Sequence, residues 1–269
     1  MTGWPYQVFL MEIRKLFAYR ADFWVNFFGQ TLFSLVIAYY LWGSIFSYSG
    51  KEVLNGYDQH TMIFYYLVAP LIYRIQQGQG IGFASRDIYQ GSLNKYLLYP
   101  LDFIRYKKST YFANSTFFLF QLLFILCIYQ IFFSRADIFE FNILSSIYFV
   151  ISIYMATQIY FYLSLICELL AFWYDNIWSL SVTVRFLSSF LGGALIPLSF
   201  FPDWSHKILY YTPFPYLIDF PVRLLRNEVI LVEDLFLKAF IAISWIFIFK
   251  GISLLLWNKG KYQYSGVGI

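Results

Sequence analysis

FNILSSIYFVISIYMATQIYFYLSL, residues 141–165, runs for 25 residues without one charged side chain. Its apolar character is continuous and does not alternate, which favours a helix over a barrel strand. The run exceeds the ~20 residues a helix needs to cross a hydrocarbon core about 30 Å thick. Five more apolar segments are bounded by charge or turn residues: Phe23–Phe46, Tyr57–Ile75, Tyr111–Phe133, Ile177–Phe200 and Leu235–Trp257. Tyr57–Ile75 is the weakest, because polar residues crowd both its ends. No internal repeat and no low-complexity tract interrupts them. The expected fold is an all-α integral membrane protein: six transmembrane helices in a single domain over residues 1–269.

Composition leads to the same place. The chain is 60% hydrophobic and 24% aromatic, only 13% charged, with mean hydropathy +0.59. A soluble domain averages about half apolar and a quarter charged, so the excess must face lipid. The net charge of +4 is spread along loops, which argues against a nucleic-acid partner. Cys127 and Cys167 sit in or beside apolar runs and read as buried thiols. With only His60 and His206 there is no histidine-rich metal centre, and no metal site is expected.

The N-terminus lacks the basic start, apolar core and small-residue cleavage site of a signal peptide. Wound as a helix, it puts Phe9, Leu10, Ile13, Leu16 and Phe17 on one side, and Glu12, Arg14 and Lys15 on the other. Residues 1–20 therefore read as an amphipathic helix in the membrane interface, or as a plain lead-in to the first span. Six spans put both termini on one side. With the termini in the cytoplasm, twelve lysines and arginines lie inside against six outside, as the positive-inside rule requires.

That orientation makes SRDIYQGSLNKYLLYPLDFIRYKK, residues 85–108, the largest cytoplasmic loop, and it holds seven charged side chains. It turns at Gly91-Ser92, continues through Leu93, Tyr96 and Leu97, and stops at Pro100. A second short helix is expected to start at Asp102 as its cap and to run through Arg105, Lys107 and Lys108. Such a helix under a membrane domain is either a handle for a soluble partner or a solvated basic anchor.

Several motifs occur in order along the chain: AYRADF at 18–23, GSLN-x-x-LL-x-P at 91–100 and AFW at 171–173. They are followed by GG-x-x-IPLSFFP at 192–202, PFPYLIDFP at 213–221 and a glycine-containing tail at 259–268 behind a basic stretch. In that order they resemble the permease subunit of type-2 ATP-binding-cassette exporters, in the branch of small six-span bacterial permeases. Asn94 stands where that branch commonly has aspartate. The resemblance implies a half-transporter in the bacterial inner membrane, paired with a second permease, a heterodimer being favoured over a homodimer. It also implies docking on a cytosolic ATPase dimer that holds ATP and Mg, this chain binding no cofactor itself. Consistently, no G-x-x-x-x-G-K-[ST] phosphate loop is present.

In this reading residues 84–108 form the coupling helix. Arg86, Asp87, Lys95, Asp102 and Arg105 orient the docking, and Leu93, Tyr96 and Leu97 anchor it. Span five ends in Gly192, Gly193 and Pro197, and Pro202, Pro213 and Pro215 follow among pieces too short to cross a bilayer. These are broken, re-entrant helices of an outer gate at 201–233, or an ordinary proline-kinked outer loop. Asp219 and Arg223 are spaced to pair if that piece is helical. Arg185, inside span five, faces the interior, the translocation path or Glu168, or else snorkels to the interface. Asn26, Gln30, Gln121 and Gln158 read as helix–helix hydrogen bonders. A membrane-embedded enzyme would need an acid–base set, and Tyr57-Asp58-Gln59-His60 is the one tempting cluster. A secondary transporter or channel would need inverted repeats or several intramembrane charges.

Overall fold

A chain in hydrocarbon must satisfy its backbone within itself, and the apolar runs do so as helices. The computed structural model describes residues 3–18, 20–99, 101–133, 143–226 and 232–264, and among them there is no β-strand. Pro100, Tyr19, Arg135 and the tail from residue 265, and the side chains of residues 20–23, Asn26 and Gln30, lie outside what is described.

The helices are α1 (Trp4–Ala18), α2 (Arg20–Ser49), α3 (Gln59–Gln77), α4 (Ser85–Tyr89), α5 (Asn94–Leu98) and α6 (Phe103–Phe133). They are followed by α7 (Ile143–Leu169), α8 (Trp178–Gly192), α9 (Asp203–Tyr211), α10 (Asp219–Leu225) and α11 (Val232–Gly260). Among the described residues, four stretches are long and apolar enough to cross a membrane: Phe27–Ser49, Phe103–Phe132, Ile143–Phe172 and Glu233–Gly260. Of the apolar core of Ile143–Phe172, 61% is buried, against 17–28% for the other three, so α7 is the central helix. α11, α3, α10, α8 and α6 all pack on it.

α3 and α8 are shorter, at 19 and 15 residues. Asp58 caps α3: its Oδ1 accepts the Thr61 N–H at 3.0 Å, while Thr61 Oγ1 accepts the Asp58 N–H at 2.9 Å. That capping box gives Asp58 a structural role. α8 covers only part of the expected Ile177–Phe200 span. It stops at Gly192 because Gly193 is left-handed (φ 97°), and the Gly193 and Ala194 amides turn back onto Phe190 and Ser189. A 3₁₀ turn at Leu198–Phe200 follows Pro197.

Two opposite ends emerge. At one, Trp42 of α2 packs on Tyr66 and Phe200, and Gly43 lies beside Gln59. At the other, Phe103 stacks on Trp257 with centroids 4.7 Å apart. The 19 residues of α3 connect these ends over about 28 Å. α1 packs along α6, with Phe17 edge-on to Phe117 at 5.2 Å.

Candidate functional site

The chain leaves α3 through GQGIGFAS, residues 78–85, in which Gly78, Gly80 and Gly82 all have positive φ. Alternating left-handed residues turn successive N–H groups toward one concavity, a geometry that binds anions. The anion here is the carboxylate of Glu168, at the end of α7 and 2% exposed. It accepts the N–H of Gly82 at 2.8 Å, of Ser85 at 2.9 Å and of Ala84 at 3.4 Å, together with the Ser85 hydroxyl at 2.6 Å. Glu168 thus fixes the start of α4 to α7. Among the described residues it forms no ion pair with Arg185.

A second charge cluster fastens α4 and α5 to α6. Asp87 meets Lys107 Nζ at 2.7 Å and Lys95 Nζ at 3.7 Å, and accepts the Ser92 hydroxyl at 2.7 Å. Burial pushes the Asp87 carboxyl up. The hydrogen bonds from Lys107 and Ser92, with the Lys107 and Lys95 charges, outweigh it and hold the carboxyl below its usual value. Lys95 lies over the Tyr96 ring at 4.8 Å. Burial, with Asp87 nearby, raises the Tyr96 phenol.

Of the expected docking residues, Arg86, Lys95, Leu97, Asp102 and Arg105 are exposed. Leu93 (0% exposed) and Tyr96 (6%) turn inward and belong to the core, so they are not outward anchors. The outward apolar tip is Leu97, Leu98 and Tyr99 instead, at 47%, 82% and 65% exposure. Asp102 does cap a helix, accepting the Arg105 N–H at 2.8 Å. That helix is not short: it is α6 itself, whose first turn buries Phe103 and Ile104. The loop after α7 packs against this end. Tyr89 donates to the Tyr174 carbonyl at 2.9 Å, and Phe172 approaches Gly260 so closely that a Cβ there would overlap its ring.

Arg185 lines a polar cavity of about 10 Å³, barely one water, with Glu168, Gln77, Tyr111, Tyr160 and Ser181. Its carbonyl accepts the Tyr73 hydroxyl at 2.8 Å. Gln121 is 1% exposed and neither amide atom finds a partner among the described residues, contrary to its expected role between helices.

At the other end of α3, Tyr65 and Tyr66 donate to the carbonyls of Gly193 (2.6 Å) and Leu195 (2.7 Å). Gly192 lies where a Cβ would meet the Phe214 carbonyl at 3.2 Å. The chain after α9 turns inward. Pro213 is buried, the Pro215 carbonyl accepts the Phe220 N–H at 3.0 Å, and the Leu217 carbonyl is held by the Gln76 amide. α10 then returns outward until the Arg226 guanidinium lies over the Tyr57 ring at 4.5 Å. Pro197 and Pro202 precede the 3₁₀ turn and α9, where a missing N–H costs nothing. A cavity of about 660 Å³ opens here between Tyr57, α9, α10 and the start of α11.

Glu168, expected as a possible partner of Arg185, binds the 82–85 loop instead; the sequence signal for that contact is a carboxylate closing an apolar run in a chain that also carries a glycine-rich stretch at 78–82. Residues 32–268 match the family model described as ABC-2 family transporter protein. No curated protein and no solved structure matches the chain.

Proposed function

Because the chain belongs to the ABC-2 family of transporter membrane proteins, we propose that it is the permease subunit of a type-2 ATP-binding-cassette exporter, docked by residues 84–108 on a cytosolic ATPase dimer. In this reading α2, α3, α6, α7, α8 and α11 make six crossings of a bacterial inner membrane, with both termini in the cytoplasm. A second permease subunit, favoured as an unlike partner, completes the path. ATP and Mg reside in the ATPase, and this chain supplies the path and the grip.

One observation carries the proposal. α4, α5 and the start of α6 present Arg86, Lys95, Arg105 and the tip Leu97-Leu98-Tyr99 outward, while Glu168 and Asp87 pin the same segment into the bundle. A face that is both exposed and rigidly tied to the spans suits the transfer of force from a soluble partner. Gly192, Gly193 and the prolines that follow would form the gate at the far end. The test is affinity purification in mild detergent with mass spectrometry. An ATPase co-elutes with the native chain and is lost from Leu98→Asp and from the Arg86→Glu/Lys95→Glu pair, with membrane insertion unchanged. Equal ATPase recovery from all three overturns the docking assignment.

A further inference from the structure

Hydroxyls inside a helix can satisfy themselves by bonding back to its backbone. In α8 Thr183 and Ser189 do so, onto the Ser179 and Phe186 carbonyls at 2.9 and 2.8 Å. Ser181 and Ser188 are buried and find no partner among the described residues. Of the two, Ser181 lines the polar cavity of about 10 Å³ between α7 and α8. A buried hydroxyl without a partner is costly, so the cavity is where its bond must be made.

Three groups converge on that hollow. Beside Ser181 stands the half-buried guanidinium of Arg185, one turn further along α8, which makes no side-chain hydrogen bond or ion pair among the described residues. Glu168 lines it from α7. Glu168 Oε2 accepts the Ala84 and Ser85 amides and the Ser85 hydroxyl, whereas Oε1 accepts the Gly82 amide alone, which leaves it a second lone pair. Tyr111, also in the wall, spends its hydroxyl on the Gln76 carbonyl. Among the described lining residues the charges are those of Glu168 and Arg185, and they cancel, so a neutral occupant fits better than a chloride. We infer that one ordered water sits here, accepting from the Arg185 guanidinium, donating to Glu168 Oε1 and bonding Ser181 Oγ, so that Glu168 and Arg185 form a water-bridged ion pair between α7 and α8. A hollow of about 10 Å³ admits one water, and three polar partners match what buried waters find. Such a bridge is nearly as favourable in enthalpy as a direct bond. Glu168 thereby serves two elements at once: it pins the 82–85 loop directly and sets the register of α8 through the water. The bridge requires only the packing of α7 on α8, so it stands apart from the docking proposed above.

Two measurements on the full chain, purified with whatever subunits accompany it, test the inference. A structure resolved finely enough to place waters shows one density peak in the cavity, within hydrogen-bond distance of Ser181 Oγ, Arg185 and Glu168. Hydrogen exchange of the Gly82 amide then reads the bridge in solution. Arg185→Gln accelerates it about fivefold in the otherwise native chain, and about twofold at most beside Ser181→Val, whose branched side chain fills the hollow and displaces the water. The unfolding midpoint checks each variant. If Ser181→Val fails to fold, Ser181→Ala takes its place, with the effect of Arg185→Gln again reduced. An empty cavity or a direct contact between Arg185 and Glu168 overturns the inference. So does an anomalous bromide signal in the cavity, which makes it an anion site, or equal acceleration in both backgrounds, which means that the Arg185 charge acts through space alone.

Discussion

Replacing Glu168 by alanine removes the acceptor for two short amide bonds and one hydroxyl bond, and leaves the buried Ser85 donors and the partly buried Gly82 amide without their partner. A hydrogen bond to a charged group contributes about 1.5–3 kcal/mol, and a buried donor left unmet costs about 1–3 kcal/mol. Three such bonds acting as a unit are not additive, so the expected cost is about 3–5 kcal/mol, as for breaking a buried pair from one side. The loss is local, because the bonds join the 82–85 loop to α7 and leave the α7–α11 packing intact. Hydrogen exchange of the Gly82, Ala84 and Ser85 amides in detergent reads it directly. At about 1.4 kcal/mol per decade, protection falls by roughly 100-fold or more. Glu168→Gln, which keeps one acceptor oxygen but aims an amide donor at the other N–H groups, lies between the two. If exchange at these amides in Glu168→Ala accelerates less than tenfold, the carboxylate is not what holds residues 82–85 to the bundle.

Two further outcomes follow from the same geometry. Gly193→Ala forces a side chain into a left-handed backbone, and its Cβ would lie 2.8 Å from the Tyr65 hydroxyl. It should destabilise by about 1–3 kcal/mol from backbone strain alone, read as a lower unfolding midpoint, and an unchanged midpoint refutes the tight stop after α8. Asp87 has a depressed folded-state value, so its contribution is fully present above the unfolded value near 3.8 and is lost as pH falls through the folded one. Protease resistance of residues 85–98 should hold near neutral pH and fall below about pH 4, with that acid limb absent from Asp87→Asn; the same limb in both proteins refutes it.

The long helices were legible because a charge-free run of span length has few alternatives, as in residues 141–165. The charged stretch at 84–108 was legible as a turn between short pieces but not as a surface. α4 and α5 have five residues each, separated by a turn at Gly91 (φ 71°), and five residues are too few for periodicity to say which face is buried. Leu93 therefore read as outward when it is in the core. Lys107 and Lys108 read as basic residues of a short separate helix, yet that helix is the start of α6, and Lys107 is 8% exposed and spent on Asp87. The bond between Glu168 and Gly82 joins positions 86 residues apart, and nothing local in the sequence encodes it.

The polarity of α3 acquires a reason from α8. Where α8 stops at Gly192, the Gly193 and Ala194 amides close its last turn, and the carbonyls of the irregular chain beyond it still need partners within the protein. α3 supplies several of these partners: Tyr65 and Tyr66 bond the carbonyls of Gly193 and Leu195 just after α8, and the Gln76 amide bonds that of Leu217 before α10, while Tyr73 bonds the Arg185 carbonyl within α8. Tyr111 in turn bonds the Gln76 carbonyl. The same tyrosines, glutamines and His60 that lower the hydropathy of α3 are concentrated on a helix whose core is buried against α7, α6 and α2. A segment that looks too polar to span is thus polar because it supports a neighbour too broken to span alone. The apolar segment that is weakest in the sequence is the one whose side chains donate to the irregular chain around the end of α8.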